Sequence, residues 1–196
     1  MTLPRITAAI LAGGAGTRLG GRDKGLEPLD GLLLVEHVIG ALRDVDAVLI
    51  VANRNHDAYA CHARTIADAT TERRGPLAGI AVACAACETP WLLTVPVDCP
   101  RPPLDLVARL LPAALAAAAP AAVAHDGTTR QPLFAVYRRE LAESAARAAE
   151  AGQGVWAWQD AIGAHELDFS DCQQQFHNLN TPDDFAAHVA SSRTAD

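Results

Sequence analysis

The stretch Ile6-Thr7-Ala8-Ala9-Ile10-Leu11-Ala12-Gly13-Gly14-Ala15-Gly16-Thr17-Arg18-Leu19-Gly20-Gly21-Arg22-Asp23-Lys24-Gly25 decides how this chain reads. It opens with a short, almost wholly apolar run and continues as a long glycine-rich loop carrying three cations, Arg18, Arg22 and Lys24. A run apolar on both faces belongs to a parallel sheet covered by helices on each side. Glycines in the loop let backbone N–H groups converge on an anion, and the cations add charge. The familiar phosphate motifs do not fit. Leu19 stands where G-x-G-x-x-G needs its last glycine, and Gly16 to Gly21 is followed by Arg22-Asp23, not by the Lys-Ser/Thr of a P-loop. A dinucleotide-dependent dehydrogenase and a P-loop ATPase are both disfavoured.

Outward from this stretch, further β-branched runs bounded by turn residues recur at 47–51 and 91–97, with weaker ones at 65–67, 121–124 and 133–137. Between them, Leu34, Val38, Ala41 and Leu42 share one helical face, as do Leu104, Val107, Leu111 and Leu115. Strand and helix in alternation mean parallel crossovers. The class is therefore α/β, a single domain with a three-layer, doubly wound, mostly parallel, Rossmann-like sheet whose ligands sit at the carboxyl ends of the strands.

With 196 residues, the chain can bury about 70% of its unfolded surface in one core. No repeat or linker divides it, so one domain spans 1–190 and the polar residues 191–196 form a loose tail. A net charge of -7 argues against a nucleic-acid footprint. The longest apolar stretch, 110–124, is interrupted by Pro112 and Pro120 and falls short of the roughly 18 residues of a membrane span. The run at 6–12 is too short for a signal-peptide core, which leaves the cytoplasm as the expected compartment. Five scattered cysteines do not make a disulfide framework; Cys84 and Cys87 form a C-x-x-C inside an alanine-rich run and read as helix packing. Trp156 and Trp158 likewise read as packing, and the seven histidines show no ligand spacing.

Lys24 is the only lysine among sixteen basic residues. A chain that uses arginine everywhere else has kept an ammonium where a compact, mobile charge can reach a phosphate oxygen. A carboxylate, Asp98, follows the fourth strand in Thr94-Val95-Pro96-Val97-Asp98-Cys99-Pro100. One carboxylate facing a nucleoside triphosphate suffices to anchor Mg²⁺, which takes its other ligands from phosphate oxygens and water. The second and third strands are followed by Asn53 and Asp68, able to hydrogen-bond a base edge or ribose or simply to serve the turn. Gly75-Pro76-Leu77-Ala78-Gly79 opens a helix, its glycine allowing close approach of either a ligand or a strand. In Asn178-Leu179-Asn180-Thr181-Pro182-Asp183-Asp184, Thr181 caps a helix and Pro182 starts it. That leaves Asn178 and Asn180, whose alternate spacing puts both amides on one side of an extended segment.

These blocks together resemble the molybdenum cofactor guanylyltransferase family of nucleotidyltransferases. The resemblance runs from Ile6 to Phe185 through Leu11-Ala12-Gly13-Gly14-x-Gly16-x-Arg18-x-Gly20-Gly21-x-Asp23-Lys24-Gly25, Asn53, Asp68, Gly75-Pro76-Leu77-Ala78-Gly79, Pro96-Val97-Asp98-Cys99-Pro100, Gln131-Pro132-Leu133-Phe134-Ala135 and Asn178-Leu179-Asn180-Thr181-Pro182. It implies that Leu11, Ala12, Gly13, Lys24, Asn53, Asp68 and Asp98 bind GTP, and that Asp98 also holds Mg²⁺. Arg18, Lys24 and Asp98 would carry the catalysis, with Asn178, Asn180, Gly75 and Gly79 toward a molybdopterin acceptor. Other cofactor-biosynthesis proteins and apo-molybdoenzymes are further implied partners. The chain departs from the family at Gly31-Leu32-Leu33-Leu34, where a Gly-Lys-Pro-Leu stretch is usual. Two other readings share some of these features: an enzyme using CTP or a sugar phosphate, and a non-catalytic carrier of GTP or pterin. Ala12-Gly13-Gly14, where CTP users typically read Ala-Ala-Gly, favours GTP, and keeping both Lys24 and Asp98 favours an enzyme.

Overall fold

The elements follow one another as β1 (Ile6–Leu11), β2 (Pro28–Leu29), β3 (Leu32–Leu33), α1 (Leu34–Ala41), β4 (Ala47–Val51), α2 (His56–Ala60), β5 (Arg64–Ile66), α3 (Pro76–Ala86), β6 (Trp91–Pro96), α4 (Leu106–Ala116), β7 (Ala121–His125), β8 (Arg130–Arg138), α5 (Ala142–Glu150), α6 (Val155–Ala161) and β9 (His165–Asp168). They are seen in a computed structural model that describes residues 3–13, 22–67, 75–181 and 183–186. The tail expected at 191–196 lies outside these residues.

Seven strands form one sheet in the order β5-β4-β1-β6-β8-β7-β9, and β2 pairs with β3 in a separate hairpin. Only β8 runs against the common direction, antiparallel to both β6 and β7, while β9 rejoins it parallel to β7. From β1 the chain winds outward to β4 and β5, then returns through α3 to place β6 on the other side of β1. Right-handed crossovers running in opposite directions put α1 and α3 on opposite faces and leave a crevice at the carboxyl ends of β1 and β6.

The two-residue period of the strands sorts the core. Ile6, Ala8 and Ile10 of β1, with Trp91, Leu93 and Val95 of β6, face Val35 and Val38 of α1, Tyr59 of α2 and the inner side of α4. Ala9, Leu92, Val123, Ala135 and Tyr137 face α3, α5 and α6. The three-layer, mostly parallel expectation holds. In β1 and β6 nearly every residue is buried on both sides, which is why they read as unbroken apolar runs. Small residues line the meeting of α3 with α5, among them Ala78, Ala81, Cys84, Ala145, Ala148 and Ala149, so Cys84 does serve helix packing. Trp158 packs at 5.3 Å on the Tyr137 ring, whereas Trp156 does not pack in the core: it is 47% exposed, 5.0 Å from the Arg130 guanidinium.

One helical face needs correction. Leu104 is outside α4 and 55% exposed; the helix starts after Asp105 and buries Leu106, Val107, Leu110, Leu111 and Ala114. It continues through Pro112, whose missing N–H leaves the carbonyl of Ala108, an exposed residue, without its helical donor.

Candidate active site

Three hydrogen bonds stitch four strand ends, those of β5, β4, β1 and β6, together one residue beyond their last pairs. Ala12 N–H donates to Val51 O at 2.8 Å, Ala52 N–H to Ile66 O at 2.9 Å, and Val97 N–H to Leu11 O at 3.2 Å. Gly13 and Asp98 therefore follow adjacent strands, β1 and β6, at the crevice. On the far side of β6 the sheet opens. β8 pairs with β6 only as far as Ala135 opposite Thr94, and Pro132, Leu133 and Phe134 bulge out of the β7 ladder between the pairs Val123 with Ala135 and Ala124 with Gln131.

Just past the carboxyl end of β6 the fold brings together three residues that the sequence singles out separately. Lys24 Nζ donates to Asp98 Oδ2 at 2.9 Å and to Asn180 Oδ1 at 2.7 Å. The Lys24 and Asp98 side chains are 19% and 21% exposed, sheltered yet open to a ligand. Asn180 is held from behind. Leu179 N–H donates to Asp98 O at 2.8 Å, and Asp184 Oδ2 accepts the N–H groups of Asn180 and Thr181 at 2.7 and 2.8 Å. Thr181 Oγ1 receives Asp184 N–H in return at 3.2 Å, completing a capping box around the expected helix start. These backbone N–H bonds to its carboxylate hold the Asp184 pKa below the ordinary value.

Leu179 turns the other way, into a small cluster with Leu29, Leu34 and Phe185. That cluster explains how the chain accommodates Gly31-Leu32-Leu33-Leu34. Asp30 (φ 46°) and Gly31 (φ 86°) make the two-residue turn of the β2–β3 hairpin, and Glu36 Oε2 accepts Leu33 N–H at 2.7 Å to close the entry to α1. Leu34 is fully buried, while Leu32 is 49% exposed.

The remaining candidates are dispersed. Leu11 is half-buried, Ala12 buried and Gly13 exposed; a Cβ on Gly13 would lie 3.8 Å from Asn53 Nδ2, so these residues adjoin. Gly75 caps α3 at φ 70°, a conformation that favours glycine. Gly79 is buried, and a Cβ there would meet Leu11 Cδ2 and Val51 Cγ1 at 3.5 Å, so it packs α3 against the sheet. Asn178 keeps its Oδ1 buried and without a partner among the described residues. Arg18 and Asp68 lie outside the described residues.

Sequence reading passed over two features of the site. Asp23, whose side chain is 5% exposed, receives the Tyr59 hydroxyl at 2.5 Å and Asn55 Nδ2 at 2.9 Å, with Arg54 Nε at 3.5 Å. The hydrogen-bonding pattern Asp23…Asn55…Tyr59 has no local signature because it joins two loops. Past the other side of β6, Asp126 accepts Thr128 and Thr129 N–H at 2.8 Å and Gln131 Nε2 at 2.6 Å. Burial pushes its pKa up, but these donors outweigh the burial and leave it below the ordinary value.

Comparison with known proteins matches residues 8–167 to the family model described as the MobA-like NTP transferase domain. The chain belongs to this family. It is 42% identical over 182 residues to the molybdenum cofactor guanylyltransferase of Shewanella sp. (strain MR-4), covering 91% of this chain and 92% of that one. Its identity to the enzyme of the same name from Burkholderia ambifaria (strain MC40-6) is 41% over 196 residues, covering 94% and 95%. Among solved structures it resembles molybdopterin-guanine dinucleotide biosynthesis protein A from Archaeoglobus fulgidus with a TM-score of 0.80 at 22% identity, covering 96% of this chain and 99% of that one. As a MobA-like NTP transferase the chain is a nucleotidyltransferase, and the alternatives of a cytidylyltransferase, a sugar-phosphate enzyme or a carrier are not favoured. Among the described residues of this MobA-like protein, no helix is long and apolar enough to cross a membrane.

Proposed function

We propose that this chain transfers GMP from GTP to the phosphate of molybdopterin in the cytoplasm, releasing pyrophosphate and forming molybdopterin guanine dinucleotide. The observation that carries this reading is the convergence of Lys24, Asp98 and Asn180 at the sheet's crevice, and the names of relatives above 40% identity agree with it. An acceptor phosphate oxygen forms a bond to the α-phosphorus of GTP as the bond to the bridging oxygen breaks, and the electron pair leaves with pyrophosphate. That phosphate is already anionic at neutral pH, so the reaction needs no general base. The site has to hold two anions in line and neutralise the charge that moves to the leaving group.

In this reading Leu11, Ala12, Gly13, Asn53 and Asp68 bind GTP, with Lys24 and Arg18 on its phosphates. Asn178, Asn180 and the Gly75 turn lie toward the acceptor, and Gly79 supports that turn by letting α3 sit close to Leu11 and Val51. Asp98 suits Mg²⁺: its partly exposed carboxylate at a strand end already holds one cation, the Lys24 ammonium, at 2.9 Å. A metal held by Asp98 would supply further neutralisation of the triphosphate charge. Lys24 has to exchange Asp98 for phosphate oxygen, a short movement for a flexible four-carbon stem.

The test is titration with GTP, CTP and ATP, each with and without Mg²⁺, followed by pyrophosphate release on adding molybdopterin. Magnesium-strengthened preference for GTP and release of one pyrophosphate per product are expected. Preference for CTP, or GTP binding with no release, would overturn the reading.

A further inference from the structure

Lys24 is flanked by two residues held by the same phenol. Tyr59, fully buried on α2, donates its hydroxyl to Asp23 Oδ1 at 2.5 Å and packs its ring edge and hydroxyl against Gly25. The fit is close: a Cβ on Gly25 would lie 2.3 Å from Tyr59 Oη and 2.8 Å from Val97 Cγ2. The same segment grips the backbone once more, since Arg54 Nη2 donates to Arg22 O at 3.0 Å, while Asn55, at φ 54°, gives its Nδ2 to Asp23. Residues 22, 23 and 25 are thus tied to one short stretch, 54–59, and the lysine between them reaches away toward Asp98 and Asn180.

A buried hydroxyl costs folding free energy unless it is paired, so a phenylalanine would fill this space with less demand on its surroundings. The hydroxyl instead fixes both neighbours of one mobile side chain. Lysine carries about 2 kcal/mol of rotamer entropy, and a misplacement of about 1 Å at a transferring group can cost about 100-fold in rate. Fixing the backbone at its root removes part of that freedom. Burial first, and the hydrogen bond to Asp23 second, push the Tyr59 pKa far above the ordinary value, so the hydroxyl stays a donor throughout the working pH range.

We infer that Tyr59 is a positioning residue for Lys24, setting the ammonium for phosphoryl-oxygen contact by holding Asp23 and Gly25 on either side of it. This inference rests on the guanylyltransferase reading for the reaction concerned, but not for the geometry. Because Lys24 is the only lysine in the chain, ¹⁵N-labelled lysine gives a single side-chain ammonium signal, which reports its placement without any turnover.

The experiment compares wild type, Tyr59→Phe, Lys24→Ala and the double variant. Asn55→Gly serves as a second probe of the clamp, since it removes another Asp23 ligand at an exposed position and keeps the backbone angle. Expected are a shifted or broadened Lys24 signal in Tyr59→Phe and Asn55→Gly, and a fall in kcat of about tenfold for Tyr59→Phe with KM for GTP within about twofold. In the Lys24→Ala background the Tyr59→Phe change should cost nothing further. A Lys24 signal unmoved in both variants, or a Tyr59→Phe loss as large without Lys24 as with it, would overturn the inference. Should wild type transfer no GMP, the functional reading fails, and the Lys24 signal alone decides the positioning role.

Discussion

The Lys24 ammonium lies 2.9 Å from the Asp98 carboxylate although the two residues are 74 positions apart. The pair is partly exposed, so it contributes at most about 1 kcal/mol to folding. In the proposed reaction its place at the crevice sets charge opposite the triphosphate. We expect Lys24→Ala and Asp98→Ala each to lower GMP-transfer turnover at least about 100-fold while melting within a few degrees of wild type. Steady-state assay beside a thermal melt checks both parts. Near-normal turnover in either variant would remove that residue from the mechanism.

Gly25 sits where no Cβ fits. With Tyr59 and Val97 both buried, neither can swing aside freely, so Gly25→Ala should cost about 1–3 kcal/mol through overpacking. Denaturant unfolding reads this directly. An unchanged midpoint would mean that α2 shifts without penalty.

Asn178 holds a buried side-chain oxygen with no partner among the described residues. A buried acceptor left unpaired gives the folded chain nothing, so Asn178→Ala should leave stability within about 0.5 kcal/mol of wild type. If that oxygen receives a donor from the acceptor substrate, KM for molybdopterin rises about tenfold or more in the variant and the affinity for GTP stays the same. Equal loss of affinity for both substrates would assign Asn178 a structural role instead.

Acid should loosen the turn after β7. Burial raises the Asp126 pKa, but the N–H groups of Thr129 and Thr128 and the Gln131 amide lower it more, and the net direction is down. A carboxyl depressed in the folded state stabilises it fully above the unfolded value of about 3.9, and this contribution is lost as pH falls through the lower folded value. Asp184, lowered by the Asn180 and Thr181 N–H groups, acts in the same sense beside the site. Thermal midpoints measured from pH 2 to 7 should fall on the acid side in wild type and fall less steeply in Asp126→Asn. Superimposable slopes would show that Asp126 carries no part of the acid transition.

The parts of the fold legible in the residue order are those whose signal is local and strong. The apolar runs at β1, β4 and β6 are legible almost to their ends because β1 and β6 are buried on both faces and β4 is buried over its last three residues. The cap at Thr181 was readable because threonine, proline and acids act within one turn. By contrast β9, His-Glu-Leu-Asp, is an edge strand with three exposed residues and shows no apolar pattern to read. The β2–β3 hairpin was missed although Asp30-Gly31 is a turn signal, since its strands are only two residues each. Nothing local distinguished β8, the one strand that runs against the rest.

Residue order alone was enough to establish an α/β chain with a glycine-rich loop, one lysine within it and a carboxylate just past a central strand. Each of those rests on the chemistry of a few adjacent residues. The folded chain was needed to decide that Lys24, Asp98 and Asn180 share one point, that Tyr59 lies under Asp23 and Gly25, and that Leu104 faces solvent. Those contacts depend on strand order and on which face each crossover covers. Both are set by burying the two sides of the sheet together, a balance over the whole chain that no short stretch contains.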